Sequence, residues 1–186
     1  MEPDPARRKP SVPHPRILPT RLAIDPTAFV APGAILRGDV TLGARSSVWY
    51  GAVLRGDLAP VAVGDDTNVQ DGAILHVETG GPATLGRRVT VGHRAVVHAC
   101  TVEDDCLIAI GAIVLSGARV GRHSIIGAGA LVKEGWDVPP LSLVLGVPGR
   151  IVRQVTGEEM ERVARNWEVY VAYAEQHKIA EGRDGR

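Results

Sequence analysis

Three of the six histidines fall within a stretch of 23 residues, at His76, His93 and His98. Neutral imidazole is a common ligand of zinc and of other divalent transition metals. Three imidazoles around one metal leave a fourth position for water, which is the arrangement of a catalytic zinc site. These histidines can hold such a metal only if the fold brings their rings to one point. Otherwise they are exposed histidines on a polar face.

A repeat of six residues predicts the elements that position these histidines. Aliphatic residues recur at every sixth position in four runs, which are Ile24 to Leu54, Val63 to Leu75, Leu85 to Val97 and Val102 to Val132. A small residue follows most of these positions four residues later. This period is neither helical nor strictly alternating. It predicts a triangular parallel β-helix, an all-β solenoid with about 18 residues per coil and insertions at residues 55–62 and 77–84.

The coil length predicts where the histidines lie relative to one another. His76 and His98 are 22 residues apart, and subtracting the four-residue insertion leaves one coil of 18. They should therefore stack on adjacent coils with their Cα atoms about 5 Å apart, close enough to share one metal. His93 lies one face earlier and can complete the site only from a neighbouring molecule. A symmetric trimer would place one three-histidine site at each interface.

Two polar motifs flank the histidines. The first insertion opens with Arg55-Gly56-Asp57, and Asn68-Val69-Gln70-Asp71 precedes His76 by one hexapeptide. The repeat turns Gln70 outward, like His76. The ordinary alternative is a solvated Arg55–Asp57 pair and a turn residue at Asp71.

Together these motifs resemble those of the gamma-class carbonic anhydrases and their hexapeptide-repeat relatives, over about residues 24–173. The resemblance implies a left-handed β-helix, an exception to the usual right-handed crossover. It also implies a homotrimer that reversibly hydrates carbon dioxide to bicarbonate with a metal-bound hydroxide at each subunit interface. The metal would be zinc, with iron(II) or cobalt(II) as alternatives.

The resemblance also implies roles for individual residues. His76 and His98 would bind the metal together with the partner subunit's His93, and Gln70 would orient the metal-bound water. Arg55 and Asp57 would pair across the trimer interface near bicarbonate, and Asp71 would support that network. Two further candidates are Asn68, from the same motif as Gln70, and Asn166, which corresponds to an asparagine that family members bring near the site.

The chain departs from the best-characterised members in the acidic loop that exports protons. Leu58-Ala59-Pro60 follows Asp57, and Glu78 is the only acid in the short loop after His76. Members with this shorter form are often weak or inactive hydratases. No other histidine is an obvious shuttle, because His123 lies elsewhere in the repeat and we expect His14 and His177 to lie in mobile segments.

Length and composition limit the possible classes. The chain has 186 residues, of which 45% are hydrophobic, and this predicts one folded domain. Lys and Arg balance Asp and Glu at 21 each, which disfavours nucleic acid or an anionic membrane as a partner. Two cysteines and the lack of a long apolar run predict a protein of the cytoplasm.

The repeat and the flanking composition also predict the division of the chain. We expect a proline-rich arm at residues 1–20, the β-helix at 21–152, a terminal helix at 153–180 and a disordered tail at 181–186. Thr156 and Glu159 have the spacing of a capping box at the start of that helix.

Two other functions remain open on the same fold. One is a coenzyme-A-dependent acyltransferase or thioesterase with His93 or His98 as general base. The other is a non-catalytic scaffold subunit in which the metal only holds a trimer together.

Overall fold

The computed structural model describes residues 16–182, which form a parallel β-solenoid of about 7 turns followed by one C-terminal helix. The expected all-β solenoid of hexapeptide repeats with a C-terminal helix is confirmed. In chain order the strands and the helix are β1 (Arg21–Ile24), β2 (Phe29–Val30), β3 (Ile35–Leu42), β4 (Ser47–Val48), β5 (Val53–Val63), β6 (Asn68–Val69), β7 (Ile74–His76), β8 (Ala83–Leu85), β9 (Thr90–Val91), β10 (Val96–His98), β11 (Thr101–Val102), β12 (Leu107–Ile108), β13 (Ile113–Val114), β14 (Arg119–Val120), β15 (Ile125–Ile126), β16 (Leu131–Val132), β17 (Asp137–Val138), β18 (Ser142–Leu145), β19 (Arg150–Gln154) and α1 (Gly157–Ala180).

The strands stack on three faces. The first face contains β7, β10, β13 and β16, and the second contains β1, β8, β11, β14 and β17. Strands β3 and β5 bend around the corner and belong to both, since β5 pairs with β7 at one end and with β8 at the other. The third face contains β2, β4, β6, β9, β12, β15 and β18, and β19 closes it as an antiparallel edge.

The aliphatic repeat positions form the core, because each one points into the coil and stacks on its equivalent in the next coil. Leu54, Leu75 and Val97 pair in succession on the first face and are fully buried. All the repeat positions from Leu42 to Val132 are buried. Burial of such side chains contributes about 1.5–3 kcal/mol each and is the main stabilisation of the solenoid.

The two insertions have different structures. The first does not form a loop, because its three extra residues shift the register between β3 and β5 while the strand continues to Val63. A close backbone approach permits this, because a Cβ on Gly38 would overlap the Gly56 carbonyl oxygen, and Gly38 has a positive φ of 81°. The second insertion forms a tight turn in which Glu78 and Gly81 make an antiparallel bridge.

The helix begins at Gly157, directly after the N-cap that the capping box predicts, whereas residues 153 and 154 of the expected helical segment belong to β19. Thr156 and Glu159 form the expected capping box, with Glu159 N–H donating to Thr156 Oγ1 at 3.3 Å. The expectation that His177 is mobile is wrong: it lies within α1, and its ring packs on Trp49 and hydrogen-bonds with the Tyr50 hydroxyl at 2.9 Å.

Parts of the expected arm and tail lie outside the described residues, namely 1–15, with His14, and 183–186. Within the described part of the arm, the Leu18 N–H donates to the Asp57 carbonyl oxygen at 2.7 Å. This segment therefore lies against the first insertion. No helix within residues 16–182 is long and apolar enough to cross a membrane.

Candidate metal site

A row of nitrogen-bearing side chains runs along the outside of the first face. Arg37 pairs with Arg55, Arg55 with His76, and His76 with His98, so the four lie on successive coils. The stacking of His76 on His98 that the coil length predicted is confirmed. We call these four residues the histidine row.

The two imidazoles of this row have the spacing of ligands that share a metal. His76 Nδ1 lies 3.1 Å from His98 Nε2, and the ring centroids are 5.0 Å apart. Two nitrogens bound tetrahedrally to one zinc at 2.0–2.1 Å lie roughly 3.3 Å from each other. The observed separation is close to this value, although a hydrogen bond between the rings would also produce it.

The environment of His76 combines a buried carboxylate with an arginine. Arg55 Nη1 donates to Asp57 Oδ2 at 2.7 Å within one chain, whereas the family resemblance suggested a pair across an interface. Although burial raises it, this hydrogen bond and the charge of Arg55 bring the pKa of Asp57 below its ordinary value. Burial, together with the charges of Arg55 and His98, lowers the pKa of His76 and so favours its neutral ring.

Two polar atoms beside His76 lack a hydrogen-bond partner within the described chain. They are His76 Nε2 and Asp57 Oδ1, both buried and 3.5 Å apart, which is longer than an ordinary hydrogen bond. Buried polar groups without partners are rare and need an explanation.

The protonation of the rings supplies that explanation and tests whether a metal fits. His98 Nδ1 lies 2.9 Å from Ser116 Oγ, whose own hydroxyl donates to Glu78 Oε2 at 3.1 Å. Neutral His98 therefore carries its proton on Nδ1 and presents a lone pair on Nε2. With imidazoles alone, His76 must then donate from Nδ1, which turns a second lone pair towards the Asp57 carboxylate. A cation between the two rings removes this repulsion, because His76 then carries its proton on Nε2, facing Asp57. The donor set fits a metal.

His93 lies apart from this pair, at the corner that precedes β10. Its Nδ1 lies 3.0 Å from Asp71 Oδ2, and its side chain is 43% exposed. If Nδ1 carries the proton and faces the carboxylate, Nε2 has a lone pair that can bind a metal, and this atom is directed away from Asp71. Within residues 16–182, no three His, Cys, Asp or Glu side chains of one chain come together as a metal site.

Gln70 is held by a chain of amide and hydroxyl groups on the third face. Its Nε2 donates to Asn68 Oδ1 at 3.0 Å, and Asn68 Nδ2 donates to Thr90 Oγ1 at 3.0 Å. The Gln70 carbonyl oxygen is therefore the acceptor that remains. Gln70 and His93 line a groove of about 320 Å³ between the solenoid and α1, whose other walls are Thr90, Gly92, Leu107, Ala109, Ile110, Asn166 and Tyr170.

The candidate residues thus form two groups in one chain. Arg55, Asp57, His76, His98 and Glu78 lie on or beside the histidine row, whereas Asn68, Gln70, Asp71, His93 and Asn166 lie around the groove. Sequence reasoning missed Ser116 and Tyr170. Ser116 follows His98 by 18 residues, but Val97 pairs with Val114, 17 residues later, so the repeat would have placed Leu115 rather than Ser116 over His98.

Comparisons with known proteins identify the repeat and the family of this chain. The family model "Bacterial transferase hexapeptide (six repeats)" matches residues 99–134. A protein of Methanocaldococcus jannaschii named "Probable carbonic anhydrase" is 47% identical over 146 residues, covering 78% of this chain and 92% of that protein. "Gamma carbonic anhydrase 2, mitochondrial" of Arabidopsis thaliana is 41% identical over 160 residues. The chain belongs to the gamma carbonic anhydrase family.

The match to the Arabidopsis gamma carbonic anhydrase covers 83% of this chain, but this chain spans only 58% of the length of that relative. Among solved structures, a protein of Bacillus cereus titled a putative acetyltransferase superposes with a TM-score of 0.85 at 38% identity, covering 88% of this chain and 97% of that one. Carbonic anhydrase relatives imply a metal cofactor in general, without identifying the metal.

Proposed function

We propose that this chain assembles as a homotrimer and reversibly hydrates carbon dioxide to bicarbonate at metal sites shared between subunits. The observation that carries the proposal is the division of the histidines. His76 and His98 place two ring nitrogens 3.1 Å apart on one face, and Asp71 holds His93 on a different corner. The names of the carbonic anhydrase relatives support the same reaction. Zinc is the proposed metal, with iron(II) or cobalt(II) as alternatives.

An apolar surface beside the histidine row supports assembly. The outward residue two positions before each of the four row members is aliphatic, and the same position is aliphatic on the next two coils. These six residues pair in register along the face as Ile35, Val53, Ile74, Val96, Ile113 and Leu131. Ile35 is 56% exposed and Ile74 is 41% exposed in the single chain. A contiguous aliphatic strip is favourably covered by another protein surface. A second copy that covers it with its His93 corner would also supply the third imidazole.

Individual residues of the chain have separate roles in the proposed reaction. A bound metal supplies a Lewis acid that makes water nucleophilic near neutral pH. The remaining carbonyl oxygen of Gln70 would accept a hydrogen bond from the reacting water and orient it. Arg55, held by Asp57, offers N–H donors to the developing bicarbonate. Leu107, Ile110 and Tyr170 provide apolar walls for carbon dioxide.

The test is carbon dioxide hydration by stopped flow, combined with mixing of inactive subunits. His76→Ala and His93→Ala proteins should each be inactive, since each trimer lacks a ligand at every site. Mixed trimers should regain one intact interface each, so about a quarter of the sites should return after random mixing at equal amounts. Mixed trimers that bind no metal would contradict the shared site.

Acyl transfer is the second candidate, because the similar Bacillus cereus structure is titled a putative acetyltransferase. On that alternative His93 or His98 would act as general base without a metal. Acetyl-coenzyme A should then bind to the metal-free protein, and His76→Ala should retain activity. If the protein binds metal but neither hydrates carbon dioxide nor transfers acyl groups, the non-catalytic scaffold held together by metal is the function that remains.

The cellular location of this chain stays a prediction. We expect the cytoplasm, whereas the name of the Arabidopsis relative places that protein in mitochondria. Fractionation of cells that produce the chain would decide between these locations.

A further inference from the structure

We propose that Ser116 and Glu78 form a positioning pair for His98. Ser116 sets the tautomer and the orientation of the imidazole, and Glu78 sets the orientation of the Ser116 hydroxyl. The inference rests on the proposed metal site and deepens it, because it concerns how one of the metal-binding rings is held.

The donors and acceptors of the three side chains form a single directed chain. His98 Nδ1 and Ser116 Oγ are 2.9 Å apart, and Ser116 Oγ and Glu78 Oε2 are 3.1 Å apart. A carboxylate accepts but does not donate, so the Ser116 hydroxyl proton is directed to Glu78 and the Ser116 oxygen accepts from His98. The free lone pair of His98 is then on Nε2, the atom that faces His76.

A local irregularity of the solenoid brings Ser116 to His98. Val97 pairs with Val114 and Val102 pairs with Val120, so the segment after His98 is one residue shorter than the segment stacked on it. Ala99 turns this short corner with a positive φ of 45°, and its carbonyl oxygen accepts from Gly117 N–H at 2.8 Å. The longer segment therefore projects Ser116 back over the preceding coil.

The second insertion brings Glu78 to the same place. Glu78 and Gly81 exchange two backbone hydrogen bonds across the turn, of 3.2 and 2.9 Å. A Cβ on Gly81 would lie 2.7 Å from Glu78 Cγ and 3.3 Å from Ala99 Cβ. The Glu78 side chain therefore lies tightly over this glycine and is directed across the corner to Ser116.

This geometry assigns Glu78 a role other than the one that its position in the loop suggested. An acid that exports protons needs to exchange with solvent and with the reacting water. Glu78 instead contacts a hydroxyl that contacts the outer nitrogen of a metal-binding ring. Carboxylates and hydroxyls in this position raise the metal affinity of histidine sites, and their loss typically costs 10–100-fold.

The experiment measures the zinc affinity of the full-length trimer by competition with a chromophoric chelator, and the d–d spectrum after cobalt(II) loading. Ser116→Ala should bind zinc about 10–100-fold more weakly and shift the cobalt spectrum. Ser116→Thr keeps the hydroxyl and should restore both. The matched control is Ser142→Ala, which removes a hydroxyl that donates to the Pro139 carbonyl oxygen on the third face and should leave both unchanged.

Glu78 variants separate positioning from proton export. Glu78→Gln keeps an oxygen that accepts from Ser116, so zinc affinity and hydration should stay near the original values. Glu78→Ala should weaken zinc binding, and imidazole buffer should not restore its hydration rate at limiting metal. A Glu78→Gln enzyme that binds zinc normally but hydrates slowly, and is rescued by imidazole, would overturn the positioning role of Glu78.

The proposal and the metal site on which it rests fail differently. Unchanged zinc affinity and cobalt spectrum in Ser116→Ala, alongside lost zinc binding in His98→Ala, would overturn the positioning pair alone. Unchanged zinc binding in both would overturn the metal site. Circular dichroism and light scattering on each variant would show that fold and assembly are retained, and Ser116→Thr provides the comparison if Ser116→Ala does not fold.

Discussion

Two rows of polar side chains run along this solenoid, and only one is complete within a single chain. The corner row lies between the second and third faces, where Arg45 binds Asp66 through two hydrogen bonds of 2.6 and 2.8 Å and Arg88 binds Asp105 through two of 2.7 and 2.8 Å. Each arginine is therefore paired with an aspartate on the adjacent coil. The histidine row instead stacks four nitrogen-bearing side chains on one another.

The difference separates a stabilising row from a binding row. In the corner row each arginine donates two hydrogen bonds to a carboxylate, so opposite charges are paired within the chain. Beside the histidine row, His76 Nε2 and Asp57 Oδ1 are buried without a hydrogen bond. Such unsatisfied groups cost free energy in the isolated chain and are expected where a ligand or another subunit completes the structure.

The largest expected effect comes from the histidine row. His98→Ala should lower zinc affinity by more than about 100-fold, which is a larger loss than that expected for residues that only position a ligand. It should also abolish carbon dioxide hydration. Arg88→Ala in the corner row should retain the full metal content and rate. Elemental analysis and stopped-flow assays would measure both. Equal loss of metal from the two variants would remove the distinction between the rows.

The orientation of water by Gln70 should have the next largest effect. Gln70→Ala should slow hydration by about 10–100-fold, because the nucleophile is misplaced. Asn68→Ala should slow it less, since Gln70 remains but loses its fixed partner. Zinc content should be unchanged in both. Full activity of Gln70→Ala would show that the groove does not contribute to the reaction.

Proton export gives a smaller effect that depends on the buffer. The original protein should hydrate carbon dioxide slowly in dilute buffer and faster as imidazole is added, because Leu58-Ala59-Pro60 offers no titrating group near Asp57. Imidazole should not rescue Gln70→Ala, whose defect is positional. A rate that is independent of imidazole concentration would contradict limiting proton export.

The corner row should show its effect in stability. Arg88→Ala should reduce the free energy of unfolding by about 1 kcal/mol, because Asp105 is left half-buried without its bidentate partner. The matched control is Arg87→Ala, whose pair with Asp104 is longer, at 3.6 Å, and more exposed, and which should change stability little. Denaturant titration of the metal-free protein would measure both. Similar losses in the two variants would contradict this assignment.

The smallest effect is expected at the helix cap. Hydrogen bonding to Arg153 and to the Thr156 backbone lowers the pKa of Glu159 to about 2. Such a carboxylate stabilises the fold above its unfolded pKa near 4.5, and the stabilisation is lost as pH falls towards 2. The melting temperature should therefore fall less in Glu159→Gln than in the original protein across this range. Glu158→Gln is the control, and equal slopes would contradict the cap assignment.

Much of the fold was predictable because the repeat of six identifies the inward positions directly. Leu54, Leu75 and Val97 are buried where the repeat placed them. The capping box predicted the start of α1 at Gly157, whereas the antiparallel strand β19 was not predicted, and its last two residues fall in the segment expected as helix. The position of His177 was not predictable, since its contacts join α1 to Trp49 and Tyr50, more than 120 residues earlier in the chain.

The site divides in the same way. Subtracting the insertion length predicted that His76 stacks on His98. The repeat also placed His93 one face earlier, and so predicted that it lies apart from this pair. The pairing of Arg55 with Asp57 inside one chain, and the contact of Ser116 with His98, could not be obtained in this way. They depend on a strand that shifts register and on a corner that is one residue short, and neither follows from a regular period.

By itself, the sequence determined the coil, its inward residues and the coil on which each histidine lies, because a solenoid converts residue spacing directly into distance along its axis. Only the tertiary structure decided which side chains meet around the histidines. Those contacts lie at insertions and corners, where the backbone leaves the repeat, and where rotamers, buried charges and the direction of each hydrogen bond set the neighbours. The repeat specifies the scaffold, and its interruptions specify the surroundings of the candidate metal site.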